Sequence, residues 1–501
     1  MKHSVIGRRS MLRLESAAAA GPRPGISATA SSSVHRRRAV SRQIVSGVVT
    51  AADGLAVLAA GAAAMAWQRV TPDWHLQGLV VVLGALMASN FLRLSGAHRF
   101  ALFADLAASL SRTSFGLLMT LGALVAATLL FEPVSAAEGP WIAIWFAGNA
   151  VLLWTVRLAL HQLMRRWNST GRLSERVGVV GAGPIGQRLL RYLNASNADI
   201  QVHGVYDEDA HSLPARCMGH PIRGRVDDLV EHIRTEGLDA VIVALPPIPD
   251  HVVTETLRKL SLVPVDVRLC PGEFALRLGA VRASHVGDLT LLNVMEHPLR
   301  DWRWIVKSIE DRILGLLILT MISPLMLAIA FLIKLDSSGP VLFRQKRCGF
   351  NNELIDVLKF RTMYHQMSDA NADQLTQRND PRVTRVGAFL RRTSLDELPQ
   401  FLNVLRGEMS IVGPRPHALA AKAGSLLYHE AVKHYDARHR MKPGITGWAQ
   451  INGWRGETDT VEQIRKRVEH DLYYIENWSL AFDLRIILRT ILGGFTGRNA
   501  F

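Results

Sequence analysis

The sequence predicts an integral membrane protein of several domains: an N-terminal bundle of transmembrane helices, a doubly wound α/β domain, and an α-rich monotopic C-terminal domain carrying a re-entrant membrane helix. Three observations predict this. Of 501 residues, 49% are hydrophobic and only 20% charged, with the apolar residues gathered in long runs. A glycine-rich turn sits between an apolar strand and a helical pattern after those runs. A later apolar segment with a central proline and basic residues at both ends precedes a polar, motif-rich part.

Residues 1–44 are Ala/Ser/Gly-rich and basic, with Arg36, Arg37 and Arg38 in succession, and read as a disordered cytoplasmic arm. No compact apolar stretch follows the early charges, which disfavours a cleavable signal peptide. Apolar runs near Val45 to Trp67, Leu76 to Leu94, Ser114 to Phe131 and Trp141 to Met164 approach the roughly 20 residues a bilayer core requires, so 45–165 reads as a four-helix transmembrane region. Arg93, Arg99 and Arg112 between the second and third runs, against Glu132 and Glu138 between the third and fourth, put both ends of the block in the cytoplasm. Asp53 and Arg157 fall inside the first and fourth runs, where they are expected near span ends with snorkelling side chains.

The formal charge of +15 fits basic flanks facing anionic lipid better than nucleic acid, since no zinc-finger spacing or aromatic-and-basic RNA motif appears. Cys217, Cys270 and Cys348 are too widely separated to indicate a zinc site or a disulfide framework.

After Arg165 and Arg166 comes "ERVGVVGAGPIGQRLLRYL", Glu175 to Leu193, where an apolar strand leads into Gly181, Gly183 and Gly186 and then a helical pattern. Asp207 follows at the distance of about 20 residues where the ribose-binding acid of a dinucleotide site stands. With a strand at Leu238 to Pro246, a helix at His251 to Leu260 and a strand at Val263 to Leu269, residues 176–294 read as a Rossmann-like α/β domain. The glycines permit two readings: a nucleotide ligand, or only a tight turn with close helix packing. One alternative for the whole chain is a membrane nucleotide-sugar dehydratase using NAD. Its short-chain form needs a Tyr with a Lys four residues on, and all seven tyrosines fail that test.

Ile313 to Ile333 is long enough to span. Yet Lys307 and Arg312 flank its start while Lys334, Arg344, Lys346 and Arg347 flank its end, so both ends favour the same side. Pro324 removes a backbone donor and Ser323 can bond an earlier carbonyl. A re-entrant hairpin over 308–335 satisfies both flanks; an ordinary Pro-kinked span is the competing reading.

The C-terminal part carries "KFRTM" (Lys359 to Met363), "NDPRVTRVG" (Asn379 to Gly387), "RRTSLDELPQFLN" (Arg391 to Asn403), "GPRP" (Gly413 to Pro416) and "KPGITGWAQINGWRGETD" (Lys442 to Asp459). Acids, arginines and glycines without a Walker A pattern or a Ser/His/Asp order point to anion-handling chemistry. Ser394 with Glu397 reads as a capping box, a reading weakened by Pro399, which either costs the helix a backbone hydrogen bond or shifts its boundary. Asp380, Arg382 and Thr384 either position phosphate or simply start a turn. Gly444 and Gly447 are expected to bracket a tight turn; Arg455 and Asp459 are the weaker candidates for contact with a nucleotide or sugar, and no such contact is the favoured reading for them. His417 reads as structural. Glu462 to Asn477 reads as a helix resting either on the membrane or on the core.

In these motifs residues 304–501 resemble the catalytic domain of the bacterial polyprenyl-phosphate hexose-1-phosphate transferases, and the spans and α/β domain match the larger members, so the resemblance covers nearly all of the chain after residue 45. It implies that Asp396 is the nucleophile toward the β-phosphorus of a UDP-sugar, forming an aspartyl-phosphosugar intermediate and releasing UMP. It further implies that Glu397 completes the dyad by helping Asp396 place Mg²⁺, that Arg391 and Arg415 are basic positions for substrate phosphate, and that Ser323 and Pro324 form the membrane-helix break. The acceptor implied is undecaprenyl phosphate at the cytoplasmic face of the bacterial inner membrane, and the product initiates exopolysaccharide or capsule synthesis. The form "INGWRGETDT" resembles members that use UDP-glucose, with galactose second. A non-enzymatic membrane scaffold that senses a ligand is the third class considered. No spacing argues for or against a homodimer.

Overall fold

The computed structural model describes residues 40–67, 74–131, 139–196, 200–210, 214–245, 250–270, 282–286, 289–367, 380–417, 422–423, 426–432, 435–454 and 460–493. Most of the expected basic arm, together with Arg455 and Asp459, lies outside them. Four helices open the described chain: α1 (Arg42–Trp67), α2 (Trp74–Leu94), α3 (Leu106–Phe131) and α4 (Gly139–Ser169). Each is long and apolar enough to cross a membrane. Leucines and valines on their outer faces, such as Leu55, Leu86, Leu118 and Val151, are exposed, as lipid-facing residues should be. Their inner faces pack α1 against α2 and α4, and α3 against α2 and α4. Trp145 is buried at the centre and donates its indole N–H to the Val57 carbonyl at 3.1 Å.

Two sequence expectations change here. Asp53 and Arg157 do not snorkel; they are buried against each other, with Arg157 Nη1 and Nη2 donating to Asp53 Oδ1 and Oδ2 at 3.1 and 2.6 Å. Arg157 Nε reaches Thr113 Oγ1 at 3.0 Å, and His98 Nε2 meets Asp53 Oδ2 at 2.9 Å. The guanidinium's planar fork matches a carboxylate, so the two helices neutralise one another's charge where neither side chain could be left alone. Arg112 lies within α3 and donates to the Ser95 carbonyl at 2.9 Å, because that helix starts earlier than the apolar run suggested.

The α/β domain comprises β1 (Glu175–Val180), α5 (Pro184–Ala195), β2 (Ile200–Tyr206), β3 (Arg216–Cys217), β4 (His220–Gly224), α6 (Val226–Glu236), β5 (Ala240–Val243), α7 (Asp250–Leu260), β6 (Asp266–Leu269), β7 (Arg282–Val286) and β8 (Leu289–Met295). The strand order is 3-4-2-1-5-6-8-7, with β4, β2, β1, β5 and β6 parallel and β8 antiparallel to β6. Alternation along β1 sends Val177 and Val179 toward α5 on one face and Val180 toward α6 and α7 on the other. The sheet is therefore doubly wound, with the order reversing at β1.

The remainder begins with α8 (Trp302–Asp336), which runs without interruption through Ser323 and Pro324. The expected break does not divide it into two helices. Pro324 has no N–H to give the Thr320 carbonyl, and the Ser323 hydroxyl donates to that same carbonyl at 2.9 Å, which satisfies the orphaned acceptor. Both ends of α8 are held by one domain. Near its start, Asp311 Oδ1 accepts from Ile411 N at 3.0 Å and Ser410 Oγ at 2.9 Å, while Lys307 Nζ reaches Asp483 at 2.6 Å. Near its end, Ile329 and Ile333 pack with Phe360 and Leu390, and Arg361 donates to the Ser337 and Ser338 carbonyls. The middle is bare, with Met321 and Leu327 both more than 70% exposed (74% and 72%).

Following α8 come the antiparallel hairpin β9 (Leu342–Cys348) and β10 (Leu354–Phe360), then α9 (Arg385–Thr393) and α10 (Gln400–Arg406). Helix Val461–Glu476 buries Ile464, Val468, Tyr474 and Ile475 in the core, so packing rather than membrane contact accounts for its inner face. Gly444 is not in a tight turn; it starts the parallel strand Gly444–Thr446, passing so close to Gly413 that a Cβ at either position would strike the other strand's backbone.

Replacing Arg157 with Leu leaves Asp53 with His98 alone, and should lower the stability of the purified protein by about 3–5 kcal/mol. Thermal unfolding in detergent checks this, and the double replacement Asp53→Leu with Arg157→Leu should recover most of the loss.

Candidate active site

A short turn between two helices presents the acidic pair. Thr384 caps α9, its Oγ1 accepting from Gly387 N at 3.0 Å. Ser394 closes that helix in the left-handed conformation at φ 56°, a single 3₁₀ turn follows over Leu395–Glu397, and Pro399 is the N-cap of α10. Of the two effects open to Pro399, a lost interior hydrogen bond or a shifted boundary, the second is present. The capping box is not: Ser394 makes no side-chain cap bond to this turn, and the Glu397 carboxylate is taken by cations instead.

Arg415 forks onto Glu397, Nη2 to Oε1 at 2.6 Å and Nη1 to Oε2 at 3.2 Å, and Lys359 Nζ reaches Oε1 at 3.2 Å. Burial would raise the Glu397 pKa, but Arg415 and Lys359 overcome it and hold the carboxyl far below its ordinary range. Asp396 is treated oppositely. It accepts no hydrogen bond among the described residues, and burial, with Glu397 beside it, pushes its pKa up to about 6 against the pull of Lys359, Arg391 and Arg415. Two neighbouring carboxylates thus have separate roles open to them: one neutralised and fixed, one ionised at neutral pH with its oxygens available.

Arg391 is partly buried and donates from Nε to Thr362 Oγ1 at 2.8 Å, close enough to feel both Asp396 and Asp380. Asp380 and Arg382 bond one another, Nη2 to Oδ2 at 2.6 Å, and Arg382 N donates to Asp380 Oδ1 at 3.0 Å, so the turn reading describes their present contacts. Burial and Arg415 push the Arg347 pKa down to about 10, which places a further cation beside the pair. In the sequence Arg347 reads as a basic flank of α8 and Lys359 as part of a motif, with no role for either beside the acidic pair. Lys359 opens the motif "KFRTM", and its alternation with buried Leu358 and Phe360 was the available signal.

The scaffold behind the site is polar and hydrogen-bonded across elements. Asn403, wholly buried on α10, accepts from Leu358 N at 3.0 Å and donates to the Asp356 carbonyl at 2.8 Å, acting as a strand partner for β10. Arg438 donates to the Arg415 carbonyl at 2.6 Å and to Asp471 at 2.7 Å. His417 touches Tyr435, Arg438 and Arg467; burial and the two arginines hold its pKa well below the ordinary value, so it stays neutral and structural.

As to a metal, the described residues contain no group of three or more His, Cys, Asp or Glu side chains suited to one. Asp396, together with the lone pair left on Glu397 Oε2, fits a hard cation that keeps water and diphosphate oxygens as its other ligands, as Mg²⁺ does.

In the α/β domain, Gly181 sits at φ 106° where a Cβ would meet the Ala244 carbonyl at 2.6 Å, and a Cβ on Gly186 would strike the Gly181 carbonyl. Gly183 is the N-cap of α5 and has open space around it. Asp207 accepts from Ala182 N at 2.7 Å and Asp209 N at 3.1 Å, so the acid is bonded to the glycine loop itself. The tight-turn reading accounts for Gly181 and Gly186.

A family model described as bacterial sugar transferase matches residues 302–497, and one described as CoA-binding domain matches residues 93–271. The chain is 36% identical to an undecaprenyl-phosphate glucose phosphotransferase of Komagataeibacter xylinus, over 91% of this chain and 85% of that protein. It is 40% identical to a UDP-glucose:undecaprenyl-phosphate glucose-1-phosphate transferase of Escherichia coli (strain K12), over 72% of this chain and 76% of that protein. An exopolysaccharide production protein PSS of Rhizobium leguminosarum bv. phaseoli is 49% identical over 39% of this chain, which is 98% of that relative.

Arg415→Met should cost about 1.5–3 kcal/mol of stability, because Glu397 loses the Arg415 fork and keeps only Lys359 while staying partly buried. The same loss should appear for Glu397→Gln only in part, since the neutral amide still accepts from Lys359. Comparing thermal midpoints of the two variants checks the order.

Proposed function

The chain belongs to the bacterial sugar transferase family, and on that premise we propose that it transfers glucose-1-phosphate from UDP-glucose to undecaprenyl phosphate, initiating exopolysaccharide or capsule synthesis. Membership in this family favours the transferase over the dehydratase and the scaffold. The observation that carries the mechanism is the unequal treatment of Asp396 and Glu397 inside a ring of cations.

In this reading an Asp396 Oδ attacks the β-phosphorus, the bond from that phosphorus to the bridging oxygen breaks, and UMP leaves with that oxygen. The sugar-phosphate stays on Asp396 until a phosphate oxygen of undecaprenyl phosphate attacks the same phosphorus, forming the lipid diphosphate and returning the carboxylate. A carboxylate is a weak nucleophile, and the step depends on position and on neutralising the phosphate oxygens. Arg415, Arg391, Arg347 and Lys359 supply positive charge there, with Asp380 and Arg382 at the rim beside Arg391. Mg²⁺ held by Asp396 and Glu397 would add charge neutralisation at the diphosphate.

The location proposed is the cytoplasmic face of the inner membrane, with α8 re-entrant. Supporting this are the basic residues at both its ends and the attachment of both ends to one domain, with the apolar middle left bare. A nucleotide remains the proposed ligand of the α/β domain, at Gly183 and the start of α5.

UMP release from UDP-glucose by the purified protein with Mg²⁺ and undecaprenyl phosphate tests the reaction. Asp396→Asn should lower it by about 10⁴-fold or more, and retained turnover would exclude Asp396 as nucleophile. Because the Asp396 pKa is raised to about 6, the ionised nucleophile is present above that pH and lost below it, so the parent rate should fall as pH drops through about 6. For α8, cysteines introduced near Ser308 and Ser338 should both react with an impermeant reagent from the cytoplasmic side; labelling from opposite sides would mean a full crossing.

A further inference from the structure

Where α1 begins and α2 ends, an open cavity of about 590 Å³ is lined by Arg42, Ser46, Arg93, His98 and Arg99 among others, with no acidic side chain in its wall among the described residues. That volume lies within the range of small-ligand sites, roughly 300–1,000 Å³. Asp53, which meets the lining residue His98, is already neutralised by the Arg157 fork. Arg93 and Arg99 are exposed and have no carboxylate partner among the described residues. The His98 side chain is 9% exposed, and its Nδ1 is buried without a hydrogen-bond partner. The hydroxyl of Ser46 donates to the His98 carbonyl at 2.7 Å, so Arg93 and Arg99 are the charged donors the wall offers a ligand.

Position narrows the ligand. The cavity lies at the end of two candidate spans, and Trp302, the first residue of α8, packs on Gly47 beside it and donates to the Gln43 carbonyl at 3.3 Å. The exposed guanidinium groups of Arg93 and Arg99 at the end of two candidate spans, without a carboxylate partner among the described residues, suit a phosphate attached to a lipid tail. We propose that this cavity binds the phosphate of a membrane lipid, next to the root of the helix that carries the catalytic domain. A phospholipid headgroup and a polyprenyl phosphate share this chemistry. The inference is independent of the role given to Asp396.

The test measures the thermal midpoint of the full chain in neutral detergent during titration with dioctanoyl phosphatidylglycerol, with undecaprenyl phosphate and with inorganic phosphate, for the parent and for R93Q/R99Q. At least one lipid should raise the parent midpoint saturably, and its half-saturating concentration should rise about 30-fold in the double variant, roughly fivefold per arginine. The midpoint without lipid should be unchanged, and the lipid whose effect depends on the arginines identifies the source. Equal half-saturation in both proteins for both lipids would overturn the site, and so would inorganic phosphate acting as strongly as the lipids, which would mark a free-anion site. Should the double variant unfold without a cooperative transition, R93Q and R99Q singly provide the same comparison at about fivefold each.

Discussion

Two carboxylates adjacent in a chain repel each other, and the C-terminal domain resolves that repulsion by giving the strongest cationic partners to one of them. Arg415 and Lys359 come from segments far apart in sequence and meet on Glu397. Their charge then stabilises an ionised Asp396 nearby without a hydrogen bond that would tie up its oxygens. The arrangement depends on the surrounding supports: Asn403 joins α10 to β10, and Arg438 holds the backbone that carries Arg415. A carboxylate dyad divided in this way follows the general rule that environments which separate two pKa values also separate two roles.

Attachment to the membrane uses the same physics with different residues. Lys307, Asp311 and Asp483 are buried together, and Tyr474 and Trp478 donate to Asp483 at 2.8 and 2.9 Å. Charges placed that deep hold the start of α8 firmly, because separating any one would leave its partners unpaired. Arg361 and Asp336 do the equivalent at the other end. Between them the helix is apolar and bare, and Ser323 repairs the one backbone acceptor that Pro324 orphans.

In the four-helix bundle the Asp53–Arg157 pair plays a similar part, and it has a consequence beyond stability. It takes up the charge of Asp53, and Arg93 and Arg99 at the rim have no carboxylate partner among the described residues. Trp302 ties that rim to α8, so the bundle and the start of the helix leading into the C-terminal domain share a junction.

Patterns with a fixed period or a strong local preference were legible in the sequence: the apolar runs of α1 to α4, the strand and glycine turn at β1 and α5, Pro399 as a helix boundary, and the motif carrying Asp396 and Glu397. Hydrophobic periodicity and the missing N–H of proline are properties of a segment alone, so the segment reports them. Pairings between distant residues were not legible. Asp53 and Arg157 looked like separate span-end charges, Glu397 looked like a capping partner for Ser394, and Lys359 and Arg347 had no role beside the acidic pair, because a charge in sequence carries no sign of which opposite charge it will face. The sequence by itself determined the membrane spans, the α/β pattern and the identity of the acidic pair. Only the tertiary structure decided which acid is neutralised and which is left available, since that choice is made by arginine and lysine side chains brought from other elements into a partly desolvated site, where Coulomb interactions are strong.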